Sequence, residues 1–343
     1  MSTASTHAST RSRTRLTTTS PFCPPCSDSS PHAWPGDPAV AAHELDPQIA
    51  EVLRSGEVKA DWRVPPVADP LVRDDIAPLR GRSLPIRLYQ GPRDDCVIVF
   101  FHGGGFVKGD LDSHDAQARM LCEVTGRPVV SVQYRLAPEH RFPSAYEDAV
   151  EVVRWVHEHA GTLFDGAAAR IAVAGSSAGA NLALGAALAL ASSPSAPVAQ
   201  LLVCPFASGD PTLPSRAEFA EGFGLTSRAV EWFIEAYVSD PAQRQDPRFA
   251  PLLSENLGVL PPTVLFSAGL DPLRDDARVL SERLRASGVH VLASEEPTLP
   301  HGYFKYAGFS EAANDAVVRM STSFRDLLDD RCADVACSER ELK

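Results

Sequence analysis

The feature that most constrains the fold is an alternation of short apolar runs with longer amphipathic stretches. Each run is rich in Val, Ile, Leu and Phe and ends near Gly, Pro or a polar residue, and helical patterns such as 144–160 and 274–288 lie between several of them. A parallel sheet covered on both faces by helices requires this pattern. We predict a three-layered α/β fold with a mostly parallel sheet and strands at 96–101, 128–134, 170–175, 199–205, 262–269 and 289–296.

Two regions depart from the alternation. Residues 207–249 are aromatic-rich without a convincing strand, and "DPQIAEVLRSG" at 46–56 has the apolar spacing of a helix. Ligands of parallel sheets bind beyond the carboxyl ends of the strands, so we expect cap elements there, from about 36–70 and 207–249. Residues 1–35, rich in Ser, Thr and Pro, are predicted to be a disordered tail, with a targeting segment as the alternative, and 36–343 one domain.

Charge and composition limit the classes of molecule that this chain is expected to bind. The net charge of -12, from 44 acidic and 32 basic residues, argues against nucleic acid and anionic membranes and favours a small-molecule ligand. The longest apolar stretch, 178–191, is shorter than the roughly 20 residues that span a bilayer. Seven scattered cysteines suggest a reducing, cytoplasmic setting, and the Cys23–Cys26 pair in the tail lacks the strand–helix context of a redox motif. No cofactor or metal is expected.

One serine lies in the pattern of an activated nucleophile. In "RIAVAGSSAGANLAL", Ser177 has Gly175 two residues before it and Gly179 two after, whereas Ser176 has alanines there. A sharp strand-to-helix turn exposes such a serine and requires very small residues at those positions. The G-x-S-x-G pattern between a predicted strand and a predicted helix therefore selects Ser177, the alternative being a Gly/Ser loop that caps a helix.

A glycine run supplies the second catalytic element. In "FFHGGGFVKGD", three glycines after a predicted strand leave backbone N–H groups free to approach a ligand. The tetrahedral intermediate of acyl transfer carries a negative charge on oxygen and needs such donors. We predict an oxyanion hole formed by Gly103, Gly104, Gly105 and Ala178, with a plain flexible turn as the alternative.

The acid and the base are expected later in the chain, in that order. Asp271 follows a predicted strand directly, and His301 lies in a loop after the next one. Asp275 and Asp276 are better explained as acids at a helix start. His114 in "GDLDSHDAQ" raises the alternative of a metal site with Asp110, Asp112 and Asp115, although an acidic helix start explains the same pattern.

Several side chains are candidate walls of the substrate pocket. They share an aromatic ring or a position beside the nucleophile, although aromatic residues near a cap commonly belong to the core. The predicted substrate-binding residues are Phe106, Ser176, Phe206, Phe223, Trp232 and Tyr303, with Phe233 as a further aromatic candidate.

With these motifs in place, the sequence resembles the hormone-sensitive-lipase-like (bacterial family IV) carboxylesterases of the α/β-hydrolase superfamily. Its matching segments, in the family's order, are "HGGGF" at 102–106, "YRLAPEHRFPSAYEDA" at 134–149, "GSSAGAN" at 175–181, "DPLRDD" at 271–276 and "HGY" at 301–303. The resemblance covers roughly residues 36–325. It implies a Ser177–Asp271–His301 triad, a helical cap and often a dimer paired through the last strand.

The chain departs from the family pattern at two positions. Ser176 stands where most members carry Asp, and His301 is followed by Gly-Tyr rather than the commoner Gly-Phe. The predicted function is hydrolysis of short-to-medium acyl esters through an acyl-enzyme. An acyltransferase, lactone hydrolase or deacetylase of a specialised metabolite is the alternative with the same site, and a non-catalytic ligand receptor is the alternative from another class.

Overall fold

A single eight-stranded sheet organises the part of the chain that the computed structural model describes, residues 45–55, 71–168 and 170–341. The predicted tail, its Cys23–Cys26 pair and much of the predicted 36–70 cap segment lie outside these residues. The strands are β1 (Val72–Leu79), β2 (Arg82–Tyr89), β3 (Val97–Phe101), β4 (Val129–Val132), β5 (Ile171–Ser176), β6 (Ala199–Val203), β7 (Thr263–Leu270) and β8 (Val291–Pro300). Their spatial order in the sheet is β1-β2-β4-β3-β5-β6-β7-β8.

The six predicted strands are β3 to β8, and they run parallel to one another. β3, β5, β6 and β7 are buried along their whole length, which explains their continuous apolar sequences. β1 and β2 form an antiparallel hairpin, and β2 pairs antiparallel with β4. The predicted α/β fold with a mostly parallel sheet is confirmed. The last strand begins at Val291, two residues later than predicted, because Val289 N–H closes the preceding helix by donating to Leu284 O.

Eight α-helices lie among the described residues, and several of them pack on the two faces of the sheet. Helices α2 (Asp115–Thr125) and α8 (Glu311–Glu341) pack together on one face, whereas α3 (Ser144–Leu163) and α4 (Ala178–Leu190) pack together on the other. No helix in the described ranges is long and apolar enough to cross a membrane. The helices are α1 (Pro47–Ser55), α2 (Asp115–Thr125), α3 (Ser144–Leu163), α4 (Ala178–Leu190), α5 (Pro214–Glu218), α6 (Ser227–Tyr237), α7 (Arg274–Ala286) and α8 (Glu311–Glu341).

Candidate active site

Ser177 occupies the turn between β5 and α4, with a backbone φ of 56° and ψ of -117°. Few non-glycine residues adopt such a positive φ, and here the turn is held by Ser177 N–H, which donates to Val203 O on β6 at 2.8 Å. The flanking glycines are required by close approach. A Cβ on Gly175 would lie 2.2 Å from Gly179 O, and one on Gly179 would lie 2.0 Å from Phe101 O. The turn therefore exposes the Ser177 side chain beyond the sheet.

A continuous hydrogen-bond chain leads from Ser177 to Asp271. Ser177 Oγ lies 3.1 Å from His301 Nε2, and His301 Nδ1 lies 2.7 Å from Asp271 Oδ2. Asp271 is fully buried just past β7, where its Oδ1 accepts the Leu273 N–H at 2.8 Å. His301 directly follows β8. The carboxyl ends of three strands thus bring the three predicted residues together, in the geometry that lets an imidazole accept a serine proton.

Cys204 also contacts this chain. Its thiol, the Asp271 carboxylate and the His301 ring have ligand atoms within 4.8 Å of one another, and within the described ranges they are the sole trio of such groups that could hold a metal ion. The 2.7 Å bond between Asp271 and His301 would have to open to admit an ion. Burial raises the pKa of the Cys204 thiol, so it stays protonated at neutral pH.

The backbone N–H groups of the glycine loop differ in their hydrogen bonding. Gly103 N–H donates to His114 Nε2 at 3.2 Å, so this predicted oxyanion donor is directed away from the nucleophile. Gly104, Gly105 and Ala178 line the cavity at Ser177, and their N–H groups meet no acceptor in the described ranges. Of the four N–H groups predicted to bind an oxyanion, three are therefore available at the cavity.

Two histidines, the buried His102 and the half-buried His114, contact the glycine loop on the side away from the cavity. His102 Nδ1 lies 2.8 Å from Gly103 O, and the ring stacks on Tyr134, whose hydroxyl donates to His102 O. Burial lowers the pKa of His102 to about 4 and, with the charges of His102 and Lys305, that of His114 to about 3. Both rings are neutral at pH 7, which leaves His114 Nε2 free to accept the Gly103 N–H. His114 thus supports the loop.

The carboxylates near His114 are engaged with other groups. Asp110 accepts the Ser113 N–H, Asp112 pairs with Arg87, and Asp115 binds Arg119 and the Tyr89 hydroxyl. Asp112 and Asp115 meet at the Arg87 guanidinium, which neutralises them, and the groups of the described residues that could hold a metal ion do not include this helix start.

A cavity of about 450 Å³ opens beside Ser177. Its walls come from the glycine loop, the ends of the strands and two elements of the predicted cap, α1 and α6. The lining is mostly apolar, which suits an uncharged acyl or alcohol group. The lining residues are Val52, Leu53, Gly104, Gly105, Phe106, Lys108, Ser177, Ala178, Phe206, Gly224, Leu225, Ala229, Val230, Phe233, Ile234, Leu273, His301, Lys305 and Tyr306.

Of the predicted pocket walls, Phe106 and Phe206 line this cavity, as does Phe233. The other four lie elsewhere. Ser176 ends β5 facing α2 and α8 on the far side of the sheet, because successive side chains of a strand point to opposite faces. Tyr303 is fully buried in the core, Phe223 packs against Phe219, and Trp232 is 39% exposed on the outer side of α6.

Sequence reasoning overlooked two charged residues of the cavity, Lys108 and Lys305. A signal was present in the sequence, because each lysine follows a catalytic motif. Lys108 comes three residues after the glycine run, and Lys305 four residues after His301.

Asp276, predicted as an acid at a helix start, also has a further role. Its carboxylate accepts the N–H groups of Ala207 and Ser208 and pairs with Arg216, which anchors the cap segment to α7.

Comparison with known proteins agrees with this geometry. Residues 98–305 match the family described as alpha/beta hydrolase fold. The carboxylic ester hydrolase LipN of Mycobacterium tuberculosis is 38% identical over 293 residues, which are 82% of this chain and 75% of that protein. The ethyl acetate hydrolase of Pseudomonas putida is 37% identical over 246 residues, which are 69% of this chain and 77% of that protein.

A solved structure shares the architecture. The hyperthermophilic esterase from Pyrobaculum calidifontis superposes with a TM-score of 0.70 at 34% sequence identity, covering 75% of this chain and 86% of that one. The sequence matches therefore point to the same family as the order of the strands, the turn at Ser177 and the glycine loop. This chain belongs to the α/β-hydrolase fold family and, within it, to the hormone-sensitive-lipase-like carboxylesterases.

Proposed function

We propose that this chain is a serine carboxylic-ester hydrolase whose nucleophile is Ser177. The observation that carries the proposal is the hydrogen-bond chain Ser177–His301–Asp271, with its serine at the wall of an apolar cavity and beside three N–H groups without an acceptor. A serine, a base and an orienting acid in this arrangement form the catalytic unit of acyl transfer.

The reaction proceeds in two halves. Ser177 Oγ attacks the ester carbonyl while His301 Nε2 takes its proton, and the oxygen that becomes negative is bound by the N–H groups of Gly104, Gly105 and Ala178. The tetrahedral intermediate expels the alcohol, which receives the proton from His301. Water then attacks the acyl-enzyme by the same proton transfers and releases the carboxylic acid.

Asp271 orients the His301 ring and stabilises its charged form. Its carboxylate accepts the Nδ1–H, so the unprotonated Nε2 faces the serine, and its charge stabilises the imidazolium that forms in each half-reaction. The Leu273 N–H fixes the second carboxylate oxygen and leaves Oδ2 directed at the ring.

The same geometry supports a proposal for the domain organisation. We assign residues 36–343 to one hydrolase domain with cap elements from about 36–70 and 207–249, since α1 and α6 both line the cavity. A homodimer paired along β8, the last strand of the sheet, and a cytoplasmic location complete the proposal. The four described cysteines are buried and unbridged, which is consistent with a reducing compartment.

The acyl-enzyme can be captured directly. We expect acid-quenched protein from steady turnover of p-nitrophenyl butyrate to carry a butyryl group on the peptide that contains Ser177. Mass spectrometry detects the group, and Ser177→Ala protein treated identically is the control. Binding of esters without acylation would overturn the proposal in favour of a receptor, and transfer to added methanol at the expense of water would identify an acyltransferase.

The cavity also sets an upper limit on the acyl chain. Its volume of about 450 Å³ lies in the lower half of the range that holds drug-sized ligands. We expect kcat/KM for p-nitrophenyl esters to be highest between acetate and octanoate and to fall toward palmitate. Leu225→Ala, which enlarges the cavity under the cap, should move the optimum to longer chains, whereas Leu253→Ala, on an exposed side chain, should not. A steep rise toward palmitate in the wild type would contradict this assignment.

A further inference from the structure

Two lysines line the catalytic cavity, and among the described residues that line it there is no carboxylate. Lys108 extends from the glycine loop and Lys305 from the turn after His301, so they come from the two segments that carry the catalytic machinery. Both residues are exposed, at the side of the cavity that opens to solvent. An otherwise apolar cavity thus has a positively charged part.

The composition of the chain makes this pair unusual. Of the 32 basic residues, only four are lysine, at positions 59, 108, 305 and 343, and all the others are arginine. Lys108 and Lys305 are therefore the only lysines in the ranges that the structure describes, and both line the same cavity. Arginine and lysine differ in shape and hydration, and the compact ammonium group binds an anion as a point charge.

Neither ammonium group has an anionic partner among the described residues. Lys108 Nζ lies 5.6 Å from the centre of the Phe233 ring, a cation–π contact that leaves its N–H groups without an acceptor. Desolvation and the neighbouring charge of Lys108 lower the pKa of Lys305. By contrast, Arg87, Arg127, Arg135 and Arg216 are each paired with aspartate.

From the lysine pair, and because no aspartate or glutamate is among the described lining residues, we propose that the enzyme prefers esters that also carry a carboxylate group, such as half-esters of dicarboxylic acids. This inference rests on the proposed ester hydrolysis. The ester carbonyl binds at Ser177, and the carboxylate of the same molecule reaches Lys108 and Lys305 at the solvent side of the cavity. The overall charge of -12 disfavours anions near the surface in general, and a local pair of positive charges offsets this at the cavity.

Two pairs of substrates of nearly equal shape test the proposal. Ethyl hydrogen succinate and its neutral counterpart ethyl levulinate place the carboxylate, or a methyl ketone, on the acyl side. The 4-acetoxybutanoate anion and 5-acetoxypentan-2-one do the same on the alcohol side. The measured quantity is the ratio of kcat/KM for the anionic ester to that for the neutral one, determined by pH-stat titration.

Lys108→Met and Lys305→Met should each lower this ratio about fivefold for at least one pair, the size of effect expected of one exposed ion pair. Sodium chloride should lower it in the wild type, because salt screens exposed charges. Lys305→Arg should retain most of the ratio. Arg283→Met, an exposed charge on α7 ten residues beyond Leu273, removes the same net charge and should leave the ratio unchanged.

The outcomes separate the two proposals. Ratios that stay the same in Lys108→Met, Lys305→Met and the double variant, while the neutral esters are still hydrolysed, would overturn the lysine assignment and leave the esterase intact. No Ser177-dependent hydrolysis of any of the four esters, or of p-nitrophenyl butyrate, would instead overturn the proposed function. Thermal unfolding of each variant shows whether a changed ratio comes from a folded protein.

Discussion

Replacing Ser177 with alanine should lower kcat for p-nitrophenyl butyrate by roughly 10⁴-fold or more, because the acyl-enzyme cannot form without the hydroxyl. Alanine keeps the Cβ and removes only the Oγ that lies 3.1 Å from His301 Nε2. The backbone of the turn, held by the bond from Ser177 N–H to Val203 O, is therefore preserved. The residual rate measures what the oxyanion donors and the cavity contribute alone.

Ser176→Ala is the matched control, since it removes a hydroxyl one residue away. Ser176 faces α2 and α8 on the other side of the sheet, so the variant should retain partial to full activity and fold normally. Full activity in Ser177→Ala, or loss in Ser176→Ala with activity kept in Ser177→Ala, would show that the nucleophile has been misassigned. Circular dichroism of both proteins checks that the fold is intact.

Replacing Asp271 with asparagine should lower kcat by about 10⁴-fold while the protein stays folded. The asparagine oxygen can still accept the Leu273 N–H, so its NH₂ group faces His301 Nδ1. That NH₂ donates where the carboxylate accepted, which places the proton of the neutral imidazole on Nε2. The ring can then no longer accept the serine proton.

Stopped-flow or steady-state hydrolysis of p-nitrophenyl butyrate measures the Asp271→Asn effect. Asp210→Asn is the control because this exposed carboxylate, as far as the described residues go, accepts hydrogen bonds from the Thr212 N–H and hydroxyl alone, in the loop before α5. A kcat for Asp271→Asn within tenfold of the wild type would mean that another group orients His301.

The sequence alone was sufficient for features with a local cause. Each buried strand of the parallel sheet is a continuous apolar run, since both of its faces are covered, and the glycines around Ser177 are required by the close approach of adjacent backbones. Asp271 and His301 could be selected because each follows a strand directly, and the carboxyl ends of parallel strands lie at one edge of the sheet.

Other features depended on contacts between residues distant in the chain. Aromatic side chains in the cap segment look alike in sequence, yet Phe233 reaches the cavity whereas Trp232 faces outward and Phe223 joins the core. The direction of the Gly103 N–H could not be predicted from the sequence either. Its acceptor on His114 is eleven residues away, and that ring can accept only because desolvation lowers its pKa and keeps it neutral.

The sequence by itself determined the α/β class, the order of the motifs and the expected identity of the three catalytic residues, because strand burial and turn sterics act over a few neighbouring residues. Only the tertiary structure decided which side chains form the cavity, which N–H groups remain without an acceptor, and that Lys108 and Lys305 face the same space. The physical reason is that a cavity is formed by the relative placement of α1, α6 and the catalytic loops, and that placement depends on packing across the whole domain.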